Sequence, residues 1–145
     1  MTTTLEQLLA VRARRGAGYL ALLDPDRLSL EELESRALLC AKADADAIPV
    51  GTSLMLSASG NTKLFERLRS IIDIPVISFP GDAGQVVRTA DAILFLSMVS
   101  GRNAELLIGQ HVRAAPLLKE YEIEVIPMAY MLIESGTLTS VEYMS

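Results

Sequence analysis

Short apolar blocks alternate with amphipathic helical patterns along most of the chain, and this alternation constrains the fold more than any other feature. Each block is closed by Asp, Gly, Pro or Ser. A short, continuous apolar run between turn signals is typical of a strand buried on both faces of a parallel sheet. Such strands, when they alternate with helices, predict right-handed βαβ units. The sequence therefore predicts an α/β fold with a parallel sheet.

The pattern predicts about five strands separated by helices. The predicted strands cover residues 19–23, 47–50, 74–79, 92–96 and 123–126. Capping boxes, in which Glu follows Thr or Ser by three residues, predict the start of two helices, and Asn predicts the start of two more. These four predicted caps are Thr3, Ser29, Asn61 and Asn103. Gly16 is expected to end the first helix, and Pro116 to kink or restart the last one.

Two observations favour a barrel over a doubly wound sheet. The first predicted strand ends in Asp24-Pro25-Asp26, where a nucleotide-binding domain would carry its Gly-x-Gly-x-x-Gly turn. Polar residues also recur at successive strand ends, where a barrel would turn them towards one central mouth. These residues are Asp24, Ser53, Ser78, Ser97 and Tyr130. The alternative is that each merely begins a loop. We predict a (β/α)8 TIM barrel, of which residues 1–145 supply about the first five βα units as the N-terminal part of a single domain.

Composition excludes several classes of protein. A hydrophobic content of 50% indicates a globular chain, and no apolar run approaches the roughly 18 residues of a membrane span. A net charge of −5 argues against nucleic acid as a partner. Near the N terminus the leucines precede the arginines, the reverse of a secretory signal, so we expect a cytoplasmic protein.

Several separated motifs carry a family resemblance. In chain order they are Leu23-Asp24-Pro25-Asp26, Val50-Gly51-Thr52-Ser53, Phe79-Pro80-Gly81, Ala90-Asp91-Ala92-Ile93-Leu94-Phe95-Leu96-Ser97 and Tyr130-Met131-Leu132-Ile133-Glu134-Ser135-Gly136. Together they resemble the geranylgeranylglyceryl phosphate synthases, including related bacterial enzymes that use longer prenyl chains. The resemblance covers nearly all of the chain from Tyr19 onward. It implies a TIM barrel that joins sn-glycerol 1-phosphate to a prenyl diphosphate, with release of diphosphate, in ether-lipid biosynthesis.

The same resemblance implies Mg²⁺ as the cofactor, with Asp24 and Ser53 as its ligands. Magnesium prefers oxygen ligands and keeps several waters, so few protein groups are needed when substrate phosphates supply the rest. The family often has Gly where this chain has Thr52, so Thr52 competes with Ser53 as the hydroxyl ligand. Asp26 has three interpretations: a ligand, a neighbour of the ligands, or a cap of the following turn, which we favour.

The sequence indicates a functional role less strongly for residues other than the expected metal ligands. Tyr130 is a candidate substrate-binding residue, because Met128, Tyr130 and Met131 suit an apolar groove for a prenyl tail; ordinary core packing is the alternative. His111 is expected to be a solvated or packed helix residue with no catalytic role. Other functions remain open at this point: a different phosphate-handling barrel enzyme, or an inactive, truncated scaffold subunit.

A complete barrel of this type has about 250 residues, so we expect part of it to be absent. The residues that bind glycerol phosphate are expected beyond residue 145. An open sheet would leave unpaired strand edges, and we therefore expect a fragment of a longer enzyme, or a second chain that completes the sheet. The sequence does not distinguish a monomer from a homo-oligomer.

Overall fold

The computed structural model of the protein describes residues 2–52, 58–133, 136 and 143. Its strands form a four-stranded sheet in the order β1-β2-β3-β4, and every neighbouring pair is parallel. The strands are β1 (Ile48–Thr52), β2 (Val76–Pro80), β3 (Ala92–Met98) and β4 (Glu124–Tyr130). The helices are α1 (Thr4–Arg15), α2 (Leu30–Lys42), α3 (Ala58–Ile71) and α4 (Gln110–Tyr121). A 3₁₀ turn (Ala83–Gln85) follows β2, and a π turn (Glu105–Gly109) leads directly into α4.

The first predicted strand lies at the edge of the sheet as an irregular segment. Residues 19–23, called the edge segment below, pair with β1 and the residue before it through two isolated parallel bridges, Leu20 with Ala47 and Leu23 with Val50. The predicted position is therefore confirmed, although a continuous strand does not form. Leu22 in this segment is 56% exposed, which is consistent with an edge that lacks its next neighbour.

The two faces of the sheet have different coverings. Val50, Val76 and Ile93 pack under α2, α3 and α4, so these helices share one face of the sheet, called the helix face below. Ile77 and Leu94 point to the opposite, inner face. A doubly wound sheet reverses its strand order and carries helices on both faces. Sequential strands with the crossover helices on one face are instead the arrangement of a (β/α) barrel.

Helix α1 lies across the amino ends of the strands. The carboxylate of Glu124, the first residue of β4, accepts hydrogen bonds from the backbone N–H of Thr4 (2.6 Å) and of Leu5 (2.9 Å). This contact places a negative charge at the positive end of the helix dipole. At the other end of α1, Arg15 forms an ion pair with Asp46, just before β1. Both ends of α1 are thus fixed to the amino side of the sheet.

Local signals predicted some helix boundaries and missed others. Both capping boxes are present, and Gly16 ends α1 with φ 85°, a conformation that glycine adopts readily. Asn103 also acts as a cap, accepting a hydrogen bond from the N–H of Glu105 at 3.0 Å. The prediction for Asn61 is wrong. α3 begins at Ala58, and Asn61 lies inside the helix with 2% exposure, because packing against the sheet outweighs its local preference for a cap.

Of the two effects predicted for Pro116, a kink or a restart of the helix, the restart does not occur. α4 continues through Pro116, since Ala114 and Leu118 on either side of it are buried against the sheet and hold the helix in place. The irregularity lies earlier, in the π turn. Among the described residues, no helix combines the length and the apolar character that crossing a lipid bilayer requires.

An ion pair between α2 and α3 makes stability depend on pH. Arg67 donates two hydrogen bonds to the Glu34 carboxylate, at 2.8 and 3.1 Å, and the pKa of Glu34 is lowered from 4.5 mainly by this hydrogen bond. A pKa that is lower in the folded state gives stability that is present above the unfolded value and is lost as the pH falls through the folded value. We therefore expect Glu34→Gln to flatten the acid loss of stability, measured as urea midpoints between about pH 7 and pH 3. Exposed Glu66→Gln is the control, and equal slopes for both variants would contradict the prediction.

Candidate active site at the carboxyl end of the sheet

Asp24 lies where the edge segment ends, at the carboxyl side of the sheet. Leu23 is buried in the core under the helices and pairs with Val50, so the next residue along the chain falls beside Gly51 and turns towards the inner face. The side chain of Asp24 is 48% exposed. Its position therefore agrees with the sequence prediction of a carboxylate at the mouth of a barrel.

The Asp24 carboxylate is oriented by its own turn. One oxygen, Oδ1, accepts a hydrogen bond from the N–H of Asp26 at 3.0 Å. The other, Oδ2, lies 3.5 Å from Nε of Arg27, whose side chain is 84% exposed. An ion pair this exposed contributes little, so a cation can replace it at small cost. Among the described residues, no N–H donates to the Asp26 carboxylate. The turn is capped by Asp24, and the cap expected at Asp26 is wrong.

The second expected ligand, Ser53, lies outside the described residues, as does the side chain of Thr52. Within the described part of the chain, no three His, Cys, Asp or Glu side chains are close enough together to hold a metal ion. A magnesium ion at Asp24 would accordingly take most of its ligands from substrate and water, a common arrangement for this ion. The single, accessible carboxylate fits that role.

An apolar pocket opens where the sheet splits. β2 and β3 pair only at Ile77 with Ala92 and at Ser78 with Ile93, whereas β3 and β4 stay paired as far as Met98 and Tyr130. Beyond the second pair, β2 and β3 separate towards their carboxyl ends. A pocket of about 170 Å³ lies in this split. Its lining is largely apolar and includes Phe79, Leu94, Leu96, Met98, Leu106 and Tyr130.

Tyr130 reaches the pocket because β4 is longer than predicted. The sequence placed the strand end near Pro127, but β4 continues to Tyr130, which pairs with Met98. The Tyr130 ring packs edge-on against Phe79, with 5.9 Å between ring centroids. Of the two methionines expected in the same groove, Met128 is 39% and Met131 66% exposed, and neither belongs to the described pocket lining. The substrate-binding role of Tyr130 stays a prediction.

The serines expected at the mouth lie on the other face of the sheet. Ser78 pairs with Val50 and Ile93, which pack under the helices, and Ser97 alternates with Leu96, which packs on the inner face with Ile77 and Leu94. The prediction that both serines face the mouth is wrong, because each falls on the helix-facing side of the strand alternation. Ser78 is fully buried, and its Oγ has no hydrogen-bond partner among the described residues.

Removing the Ser78 hydroxyl should therefore not lower the free energy of unfolding by much. Burying a polar group without a hydrogen-bond partner costs desolvation free energy that no hydrogen bond offsets. We expect Ser78→Ala to leave the free energy of unfolding unchanged or to raise it by up to about 1 kcal/mol, measured by urea denaturation. A loss above about 1 kcal/mol would show that the hydroxyl has a partner, such as a buried water.

His111, the single histidine, is packed as expected. Its ring lies against Phe95, with 4.2 Å between centroids, and Nε2 is 2.8 Å from the backbone carbonyl oxygen of Leu96. A carbonyl can only accept, so Nε2 carries the proton and donates it. This contact was not foreseen from the sequence, because it joins α4 to the part of β3 that has lost its pairing with β2.

Sequence comparisons agree with this geometry. A model of the PcrB family matches residues 9–144. A geranylgeranylglyceryl phosphate synthase from Chitinophaga pinensis is 41% identical over 134 residues, which cover 92% of this chain and 53% of that protein. One from Flavobacterium johnsoniae is 42% identical over 144 residues, covering 99% of this chain and 59% of that protein. The chain spans about half the length of the curated relatives it matches.

Solved structures lead to the same family. The geranylgeranylglyceryl phosphate synthase of Thermoplasma acidophilum, determined in complex with sn-glycerol-1-phosphate, superposes with a TM-score of 0.85 at 32% identity, covering 94% of this chain and 55% of that chain. The Thermoplasma volcanium enzyme gives a TM-score of 0.84 at 30% identity, covering 92% and 53%. The predicted partial TIM barrel and the resemblance to these synthases are thereby confirmed. The chain belongs to the PcrB family.

Proposed function

We propose that this chain is part of a prenyltransferase that joins sn-glycerol 1-phosphate to a long-chain prenyl diphosphate, geranylgeranyl or longer, and releases diphosphate in ether-lipid biosynthesis. One observation carries the proposal. An accessible carboxylate, Asp24, follows the end of the edge segment, and a largely apolar pocket is lined by residues at the carboxyl ends of β2 and β3. A prenyl diphosphate has a charged head and an apolar tail, and these two features suit its two parts.

Asp24 would hold Mg²⁺, with the hydroxyl of Ser53 as the expected second ligand. The Asx turn with Asp26 fixes the direction of the carboxylate before any ion arrives. The exposed contact with Arg27 leaves Oδ2 free to exchange partners. When bound, the ion supplies Lewis-acid stabilisation of the negative charge on the diphosphate leaving group. No side-chain nucleophile is required, because the attacking group is a glycerol hydroxyl.

The split between β2 and β3 would take part of the prenyl tail. Phe79 and Tyr130 pack edge-on against each other, and both line the pocket together with Leu94 and Leu96 of β3. Each methylene of the tail that leaves water contributes about 0.8 kcal/mol to binding. The pocket lining thus favours an apolar chain over the sugar phosphates that other phosphate-handling barrels bind.

The residues that bind the acceptor, sn-glycerol 1-phosphate, are expected in the rest of the proposed enzyme. sn-Glycerol-1-phosphate is bound in the Thermoplasma acidophilum structure, of which this chain matches 55%. We expect the corresponding residues to follow the matched part, in the later βα units of the full-length protein. We further propose that the reaction takes place in the cytoplasm. The proposal is compatible with a monomer and with a homo-oligomer.

Direct assay of the full-length protein tests the proposal. The enzyme is incubated with sn-glycerol 1-phosphate, Mg²⁺ and radiolabelled prenyl diphosphates of several chain lengths, and the products are extracted into an organic phase. The expected product is a prenyl ether of glycerol phosphate that fails to form when the ion is chelated. Absence of this product with every chain length would reject the proposed function.

A further inference from the structure

Two consecutive residues of α4 hold the two sides of the split in the sheet. Oε1 of Gln110 accepts a hydrogen bond from the backbone N–H of Ala83 at 2.7 Å, in the turn that follows β2. Nε2 of His111 donates to the carbonyl of Leu96 on β3 at 2.8 Å. Side chains of consecutive helical residues point about 100° apart, so one helix turn can reach both sides. α4 is therefore bonded to each wall of the apolar pocket.

The turn after β2 is linked to α4 by this hydrogen bond and by apolar packing, since Ala83 and Val86 pack against the cluster that contains Ala114 and Leu118. Its N–H groups at Gly81 and Gly84 are bound within the turn itself, by Gln85 and Asp82. The N–H of Ala83 is bound instead by a side chain 27 residues away in sequence. Gln110 thus ties the turn, and with it the Phe79 side of the pocket, to the helix that also contacts β3.

A π turn lies directly before Gln110 and His111. Inserting a wider turn at Glu105–Gly109 rotates the helix that follows it, and π turns often occur at functional sites. The turn is compact: Glu105 forms an ion pair with Arg113, and its carboxyl carbon lies 2.7 Å from the point where a Cβ at position 109 would stand. Glycine at 109 leaves room for this arrangement. Gln110 and His111 are the first two residues after this turn.

We infer that Gln110 and His111 are positioning residues that fix the separation of β2 from β3, and so set the space that the pocket offers to a prenyl tail. The inference rests on the proposed function. Both residues line the pocket, yet their polar atoms are engaged by the backbone of its walls. Neither residue is a catalytic residue in this scheme. Their contribution is to hold open a gap that parallel strands would otherwise close by pairing.

Gln110→Met in the full-length enzyme tests the inference, because Met keeps the length of the side chain and removes the acceptor. We expect the Kd for geranylgeranyl diphosphate to rise about tenfold, which is about 1.4 kcal/mol, and the KM for this substrate to rise while kcat at saturation stays constant. The Kd for inorganic diphosphate should not change, since the head group binds elsewhere. Gln110→Glu keeps an acceptor oxygen and should restore binding to within about twofold. Lys119→Met, on the exposed side of α4, is the matched control.

Amide hydrogen exchange separates this inference from the proposed function. The peptide that spans residues 81–86 should exchange faster in Gln110→Met than in Gln110→Glu, with or without substrate. If the wild-type enzyme binds geranylgeranyl diphosphate and Gln110→Met binds it equally well, the inference is wrong and the proposed function stands. If the wild-type enzyme binds no prenyl diphosphate, the proposed function fails and the inference fails with it.

Discussion

Asp24→Asn in the full-length enzyme is expected to lower kcat/KM for prenyl transfer about 100- to 1000-fold, because it removes the proposed charged ligand and little else. The amide oxygen of Asn can still accept the hydrogen bond from the N–H of Asp26, so the turn survives the change. Several kcal/mol of stabilisation of the departing diphosphate depend on the bound ion, and each 1.36 kcal/mol corresponds to a factor of about ten in rate. Initial rates at saturating Mg²⁺, together with a magnesium titration, measure the effect.

Asp26→Asn is the matched control, since it removes the same charge two residues further along an exposed turn. We expect its rate to remain within about twofold of wild type. Circular dichroism of both variants shows whether the fold is kept. Equal losses for the two variants would indicate a general effect of charge at the barrel mouth. An Asp24→Asn enzyme with full activity and an unchanged magnesium requirement would exclude Asp24 as the ligand.

Phe65→Ala is expected to give the largest loss of stability, about 3–5 kcal/mol. Phe65 on α3 has no exposed surface and belongs to the same core as Leu33 of α2 and Val76 of β2. Truncating it removes the transfer free energy of the ring and leaves a cavity that close-packed neighbours fill only in part. Urea unfolding of the variant and the wild type, followed by circular dichroism, measures the difference.

Leu39→Ala on α2 provides the comparison, because Leu39 is 62% exposed and its truncation should change stability by no more than about 0.5 kcal/mol. The two substitutions together test the assignment of the faces of the sheet. A loss below about 1 kcal/mol for Phe65→Ala would mean that the layer of helices on the helix face is not packed as described.

Features encoded by neighbouring residues were predictable from the sequence. The capping boxes at Thr3 and Ser29 formed as expected, because both partners of each box lie within one helical turn. The position of Asp24 at the end of the edge segment was also predictable from neighbouring residues, although the segment before it forms only two isolated bridges and no continuous strand. Asn61 was misassigned because its burial depends on residues distant in sequence, which a local pattern does not report.

Features that depend on pairing between distant segments were missed. β4 passes through Pro127, which the local pattern treats as a stop, because its pairing with β3 continues without a break from Glu124 to Tyr130. The apolar pocket was not predicted either. Its existence depends on where β2 and β3 stop pairing, and the Gln110 and His111 contacts that accompany this separation join α4 to residues about one βα unit earlier.

The contacts that hold α1 at both ends affect the order in which the chain folds. Its first turn is held by Glu124, a residue 120 positions later, whereas its last turn is held by Asp46, only 31 positions from Arg15. During synthesis, α1 emerges before β4 and cannot complete its amino-terminal contact until β4 has been translated. Such a distant contact is slow to form, because closing the long loop costs conformational entropy before the contact contributes any stabilising free energy. α1 is therefore made before all four strands, yet its position across their amino ends is completed only after the last of them.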